Sequence, residues 1–207
     1  MSYEGKIYNQ PALALSFGAW YNQASSVSTV INNDAVNIKT PKNSTGVSIS
    51  GLYCAAPATP YTIIASISAN PINTIGSSTV YNPYVFGFTD GTKVVAIMPR
   101  LQSSSTQGLW VDYCATYSIF STDLYVSHSS GGDYPYQAAQ WLMLRDDGTN
   151  IYFYMSGDNQ QNGSSWVQIF TEARATHLTP SNIIFGSNPW GSCATNVTLN
   201  SATVFAV

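Results

Sequence analysis

Side chains able to do chemistry are scarce in this chain, which has 10 acidic residues, 7 basic residues, 2 histidines and 3 cysteines among 207 positions. Its glutamates, Glu4 and Glu172, have no second carboxylate beside them in a strand. The alternating Glu-x-Asp-x-Glu spacing that would put a nucleophile and an acid on one strand face is therefore missing. Asp146 and Asp147 are adjacent, so they point apart, and both read as turn formers. His128 and His177 are isolated, and Cys54, Cys114 and Cys193 are far apart and odd in number. That pattern supports neither zinc ligation nor a disulfide framework, and the cysteines read as small buried hydrophobes. No G-x-S-x-G elbow offers a serine nucleophile. Calcium would have to draw on Asp123, Asp133 or Asp158 with loop carbonyls; no motif fixes such a site, and no cofactor is expected. What the chain does have is rings. Trp110, Tyr113, Tyr117, Tyr134, Tyr136, Trp141, Tyr152, Tyr154 and Trp190 exceed the needs of one core, and flat rings stack on sugars or pack at protein interfaces.

The rings with the clearest placement lie in Gln140 to Thr171, where apolar runs flank Asp147-Gly148. Asp-Gly between alternating residues is a strong hairpin signal, because a two-residue type I′ turn needs positive φ at both central positions. With that loop Asp146 faces Thr149, Leu144 faces Ile151, Leu142 faces Phe153 and Trp141 faces Tyr154. Leu142, Leu144, Ile151, Phe153 and Met155 then share one side, and Trp141, Met143, Arg145, Tyr152 and Tyr154 the other. A four-residue loop preserves the same two sets, whereas a three-residue loop mixes them. If the aliphatic set fills the core, Trp141, Arg145, Tyr152 and Tyr154 form an exposed platform for a neutral or acidic glycan, with no carboxylate pair for hydrolysis.

A second Asp-Gly hairpin spans Tyr84 to Met98, with Thr89 expected opposite Thr92, Phe86 opposite Val95 and Tyr84 opposite Ile97, and both faces buried. Short strands are expected at Val27 to Ile31, Ala35 to Ile38, Val47 to Ile49, Tyr61 to Ala69, Leu109 to Cys114, Ile119 to His128, Trp166 to Phe170 and Ile183 to Gly186. Val197 to Val207 is expected to close a sheet, Ser129 to Pro135 to form a loop, and Glu172 to Leu178 to supply the one helical turn. Many short strands without sustained 3.6-residue periodicity predict an all-β sandwich. The length suits one domain over 20–207, preceded by an arm or first strand over 1–19 that could dock elsewhere.

Charged residues make up 8% of the chain and the formal net charge is −3, so there is no basic footprint for nucleic acid. No run of eighteen apolar residues marks a membrane span, and the opening residues lack the basic and apolar regions of a secretion signal. Tyr134-Pro135-Tyr136 and Pro189-Trp190 place rings in loops of this weakly charged chain, which predicts a homo-oligomer or attachment to a larger particle.

Trp141-Leu142-x-Leu144-Arg145-x-Asp147-Gly148, followed by Phe153-Tyr154-x-Ser156-x-Asp158, Gly163 and Trp166, resembles the pattern of concanavalin A-like lectin/glucanase (laminin G-like) jelly rolls. Pro60-Tyr61-Thr62-Ile63, Phe86-Gly87-Phe88 and Ile184-Phe185-Gly186 are placed as in that family, so the likeness covers about residues 50–207. Between Asp158 and Trp166 the loop is longer than the family's Asp-Gly turn. The resemblance implies a jelly-roll antiparallel β-sandwich. Such modules, with low charge and much Ser, Thr, Asn and Tyr, resemble bacteriophage virion surface proteins: tail fibres, capsid fibres and decoration proteins. The expectation is a non-enzymatic virion protein with other virion proteins as partners and a cell-surface glycan as ligand. The alternatives are a glycan hydrolase on the same fold and a purely structural assembly protein.

Overall fold

The computed structural model describes residues 13–15, 17–23, 25–32, 35–41, 46–71, 82–103, 106–129, 141–156, 166–189 and 195–206. Every regular element among them is a strand. In chain order these are β1 Leu13–Ala14, β2 Ala19–Tyr21, β3 Val27–Asn32, β4 Ala35–Thr40, β5 Ser50–Ala55, β6 Tyr61–Pro71, β7 Asn82–Thr89 and β8 Val94–Ile97. They continue with β9 Arg100–Ser103, β10 Thr106–Thr116, β11 Ile119–Ser129, β12 Trp141–Asp146, β13 Asn150–Ser156, β14 Val167–Ala173, β15 Asn182–Asn188 and β16 Thr195–Ala206. The first sheet runs β14-β13-β12-β6-β16-β4-β3 with β1 paired to β16, and the second runs β11-β10-β8-β7-β15-β5-β2 with β9 paired to β10. All pairings are antiparallel. This is the all-β sandwich that the alternation predicts.

Alternation sorts the side chains. From the first sheet Ile63, Leu142, Leu144, Ile151 and Phe153 enter one core, where they meet Phe86, Phe88, Val95, Ile97, Val111, Ile183 and Phe185 from the second. Phe88 and Phe153 meet edge to face across the layers at 5.3 Å, a geometry that aligns a ring edge with a π face. Strand β7 is buried along its whole length, so both its faces are covered.

Both Asp-Gly hairpins form, but with loops two residues longer than the tight turn. Asp146 pairs with Ile151, Leu144 with Phe153, Leu142 with Met155 and Trp141 with Ser156. Likewise Thr89 pairs with Val94, Phe88 with Val95 and Phe86 with Ile97. The reason lies in the aspartates. Only the glycines have positive φ, 91° at Gly148 and 94° at Gly91, whereas a type I′ turn would demand it of Asp as well. Instead Asp147 Oδ1 accepts the N–H groups of Thr149 and Asn150 at 2.8 and 2.7 Å, and Asp90 Oδ1 accepts those of Thr92 and Lys93 at 2.9 and 2.7 Å. Side-chain capping of consecutive N–H groups favours the wider loop. The shift is two residues in each case, so no side chain changes face.

Three other expectations change. Glu172 to Leu178 is not a helical turn: Glu172 pairs with Ile151 inside β14, and Ala175 has φ of 73° in the turn that follows. Val47 to Ile49 is not a strand, because the Ile49 N–H goes to the Tyr117 carbonyl at 2.8 Å rather than to a neighbouring ladder. β16 lies inside its sheet between β6 and β4, with Val204 against Ile63 and Val197 against Ile38. Cys54 and Cys114 are buried free thiols, and burial pushes each up to about 12. Within the 1–19 arm only β1 and β2 are described as strands. Ser129, expected to open a loop, is the last residue of β11 and pairs with Gln107. Residues 1–12, 130–136, Asp158, Trp190 and Cys193 lie outside the described residues.

Candidate functional site: the outer aromatic face of the first sheet

The side chains of β6, β12 and β13 that point away from the core meet on the outer surface. Register aligns Ile64 with Met143 and Met143 with Tyr154, and these three form a buried apolar floor. Trp141, Tyr152 and Trp166 pack against it and are themselves half-buried. Trp166 enters just before β14, and only its place in the family pattern marks it in the sequence. Arg145 sits opposite Tyr152 across the hairpin, its guanidinium 5.5 Å from the ring centroid, close enough for cation–π attraction.

The four residues expected to bind ligand, Trp141, Arg145, Tyr152 and Tyr154, are brought onto one face, but not as an exposed set. Tyr154 retains 6% exposure. It stacks on Tyr152 with ring centroids 6.3 Å apart and planes 22° apart, since residues two apart on a strand stand side by side. Tyr154 is therefore floor rather than contact surface, and burial raises its phenol pKa. Tyr152 is anchored at its outer end, where its hydroxyl donates to Asp147 Oδ2 at 2.8 Å, and this bond raises its pKa. The Asn150 and Thr149 N–H groups and the Tyr152 hydroxyl hold the Asp147 carboxyl below its ordinary value. The turn former thus also fixes a ring of the face.

Its neighbour Asp146 points the other way and is fully buried. It accepts from the Gly148 N–H at 2.9 Å and from Arg174 Nε at 3.0 Å, which docks the segment after β14 onto the hairpin. Glu172, read as isolated, holds His177 Nδ1 at 2.6 Å.

A second constellation lies on the outer face of the second sheet, and the sequence reading did not contain it. Asp112 of β10 is directly opposite Asp123 of β11, and Arg100 Nη2 bonds both carboxylates, Asp112 at 2.9 Å. The guanidinium lies 5.0 Å from the Trp110 ring centroid and 5.2 Å from that of Phe120. Burial pushes the Asp112 carboxyl up to about 7 against the opposing pull of Arg100. Asp123, a calcium donor in the sequence reading, is thus engaged with a cation. A carboxylate inside the apolar run Trp110-Val111-Asp112-Tyr113-Cys114 was the available signal, since buried charge is rarely left unpaired.

The remainder of that outer face is filled by the chain. A Cβ on Gly87 would stand 2.3 Å from the Val95 carbonyl oxygen, and one on Gly186 would stand 2.2 Å from that of Ser50. The strands lie so close at these positions that no side chain fits, and Tyr21, Ile49, Met98, Cys114 and Ile184 pack together on this face. The Tyr21 hydroxyl donates to the Thr92 carbonyl, which ties β2 to the β7–β8 turn.

Among solved structures the chain is similar to a functionally unknown protein from Saccharomyces cerevisiae, at 12% identity over 94% of this chain and 99% of that one, with a TM-score of 0.58. It is similar to a legume lectin-like domain from Entamoeba histolytica, at 10% identity, covering 88% of this chain and 90% of that one, with a TM-score of 0.54. It also resembles an engineered GH43 glycoside hydrolase, at 13% identity over 100% of this chain and 42% of the enzyme, with a TM-score of 0.54. No protein-family model matches the sequence, and no curated protein matches it. These likenesses show the fold, an antiparallel jelly-roll β-sandwich of the kind also seen in a legume lectin-like domain. One fold carries both binding and hydrolysis, so function has to be argued from the side chains.

Proposed function

We propose that this chain is a non-enzymatic, lectin-like module that takes a neutral or acidic glycan on the outer face of its first sheet and is displayed on a virion as part of an oligomer. The observation that carries the reading is the grouping of Trp141, Tyr152 and Arg145 over the floor of Ile64, Met143 and Tyr154. Rings held by a rigid floor offer apolar contact to sugar C–H groups, and the guanidinium beside them offers donors to hydroxyls or a carboxylate. The Asp147 carboxylate, fixed against Tyr152, supplies an acceptor at the same rim. The chain's low charge and its abundance of Ser, Thr, Asn and Tyr support display on a particle.

The carboxylates support binding rather than hydrolysis. A glycosidase separates its two carboxyl groups by about 5 Å or more to admit a sugar or water, whereas Asp112 and Asp123 lie within hydrogen-bonding reach of each other. Asp112 is also 2% exposed. A glycan array together with a reducing-end assay on the wild type, Trp141→Ala and Tyr152→Ala proteins tests the reading. The expected outcome is binding by wild type, loss of binding in both variants and no new reducing ends. Release of reducing ends would transfer the chain to the enzymes. Absence of binding, with both variants instead disrupting assembly as measured by light scattering, would make the face a subunit interface.

A further inference from the structure

The Arg100 cluster sets two carboxylates against one cation. Asp112 and Asp123 face each other across β10 and β11, both bonded to one guanidinium nitrogen. Two carboxylates this close cannot both ionise cheaply, and a single cation offsets only one of them. The Asp112 side chain is 2% exposed, yet its Oδ1 is buried with no partner. A proton on that oxygen would have an acceptor, because the Asp123 carboxyl is within hydrogen-bonding reach. Among the described residues no further charged group compensates Asp112. From β8 Asp112 meets Ala96, from its own strand Cys114, from β9 Arg100 and from β11 Asp123.

The location gives that proton a mechanical consequence. Among the described residues β11 ends the second sheet and pairs only with β10. Register shifts interrupt their ladder between Val111 and Asp112, between Tyr113 and Cys114, and between Cys114 and Thr116. Bulges weaken pairing and re-aim side chains, so side chains add to the strand's attachment in this stretch. Ile119 and Val126 on the same strand stay exposed, while Leu124 and Tyr125 pack against the core and Phe120 against the outer cluster.

We propose that Asp112 and Asp123 share one proton beneath Arg100, and that this carboxyl–carboxylate bond latches edge strand β11 to the sheet, so that loss of the proton loosens the strand. The latch is tight in acid. With the proton held to about pH 7 in the closed strand and to about pH 4 for a free aspartate, opening increases as pH rises between those values and levels off above pH 7.

Hydrogen exchange of the β11 amides tests this, corrected for intrinsic exchange and referenced to β15 of the same sheet. From pH 5 to pH 8 the opening of β11 should increase on the order of tens of fold, with β15 unchanged. Asp112→Asn, which keeps a donor for Asp123 at every pH, should flatten the profile and leave β11 at pH 8 at least as protected as in wild type. Asp123→Asn changes a partly exposed side chain, leaves Asp112 beside Arg100 without the second carboxylate, and should move the rise to lower pH. As an independent readout, labelling of Cys114, which lies on the same face opposite Phe120, should increase relative to buried Cys54 over the same pH range. A wild-type profile flat with pH, or one unchanged by both substitutions, would overturn the latch.

Discussion

On the outer face of β12 and β13, rings stand over an apolar floor with an arginine and an aspartate at the rim. On the outer face of β7, β8 and β15, glycines let the strands close up and the chain's own Tyr21 and Ile49 pack there. Both faces arise from the same alternation of side chains, so alternation does not explain the difference. Side-chain size does. Large residues on the first face build an apolar floor with rings above it, whereas Gly51, Gly87 and Gly186 on the second let neighbouring strands close up, and the chain's own side chains cover that face. The carboxylates follow the same division. Asp147 is stabilised as an anion by N–H groups at the surface, and burial keeps the proton on Asp112 up to about pH 7.

The sharpest way to break this comparison is to add bulk to each face. Gly186→Val forces atoms into the Ser50 and Gly51 backbone and should cost about 3 kcal/mol or more, or prevent folding. Ser66→Val, half-buried on the first face, should change stability by less than about 1 kcal/mol. Urea unfolding midpoints decide it, and equal tolerance at both positions would mean that the second face is not closed. Next in size is the floor. Met143→Ala should cost about 2 kcal/mol and weaken glycan binding with it, whereas Trp141→Ala should lose binding at about half that cost in stability; the same pair of measurements checks both.

Acid should separate the two faces. The Asp112 pKa is raised, so its contribution is fully present below about pH 4 and is lost as pH approaches 7. The Asp147 pKa is lowered, so its contribution is present above the ordinary aspartate value and is lost as pH falls below it. Asp112→Asn should therefore match wild type in acid and be at least as stable at neutral pH, whereas Asp147→Asn should be less stable than wild type at neutral pH and converge with it in acid. Matching profiles would remove the distinction. The smallest effect belongs to Tyr152→Phe, which deletes the 2.8 Å bond to Asp147. It should cost about 0.5–1.5 kcal/mol and bring the Asp147 carboxyl back toward its ordinary value in an NMR titration.

Much of the fold was legible because period-two alternation is local: Leu142, Leu144, Ile151 and Phe153 point inward whichever even loop joins their strands. Alternation left the two- and four-residue loops open at Asp147-Gly148, and the four-residue one forms at both hairpins because each aspartate acts through its carboxylate on the following N–H groups. Glu172 to Leu178 looked helical because neither the pairing of Glu172 with Ile151 nor its bond to His177 can be seen without the neighbouring strand. Trp141, Tyr152 and Tyr154 lie on one face as alternation requires, but Tyr154 is buried rather than exposed, because Trp141, Tyr152 and Trp166 pack around it.

The sequence by itself determined the class, the two Asp-Gly hairpins and the face on which each of their side chains lies, because those follow from the chirality and pleat of a single strand. Only the tertiary structure decided which faces close and which carboxylates meet. Asp112 and Asp123 are eleven positions apart, joined through a turn and interrupted ladders, and their distance exists only once the register does. Likewise the close approach of Gly87 to Ala96 exists only when β7 lies against β8. Pairwise proximity between strands is a property of the assembled sheet, and no local pattern encodes it.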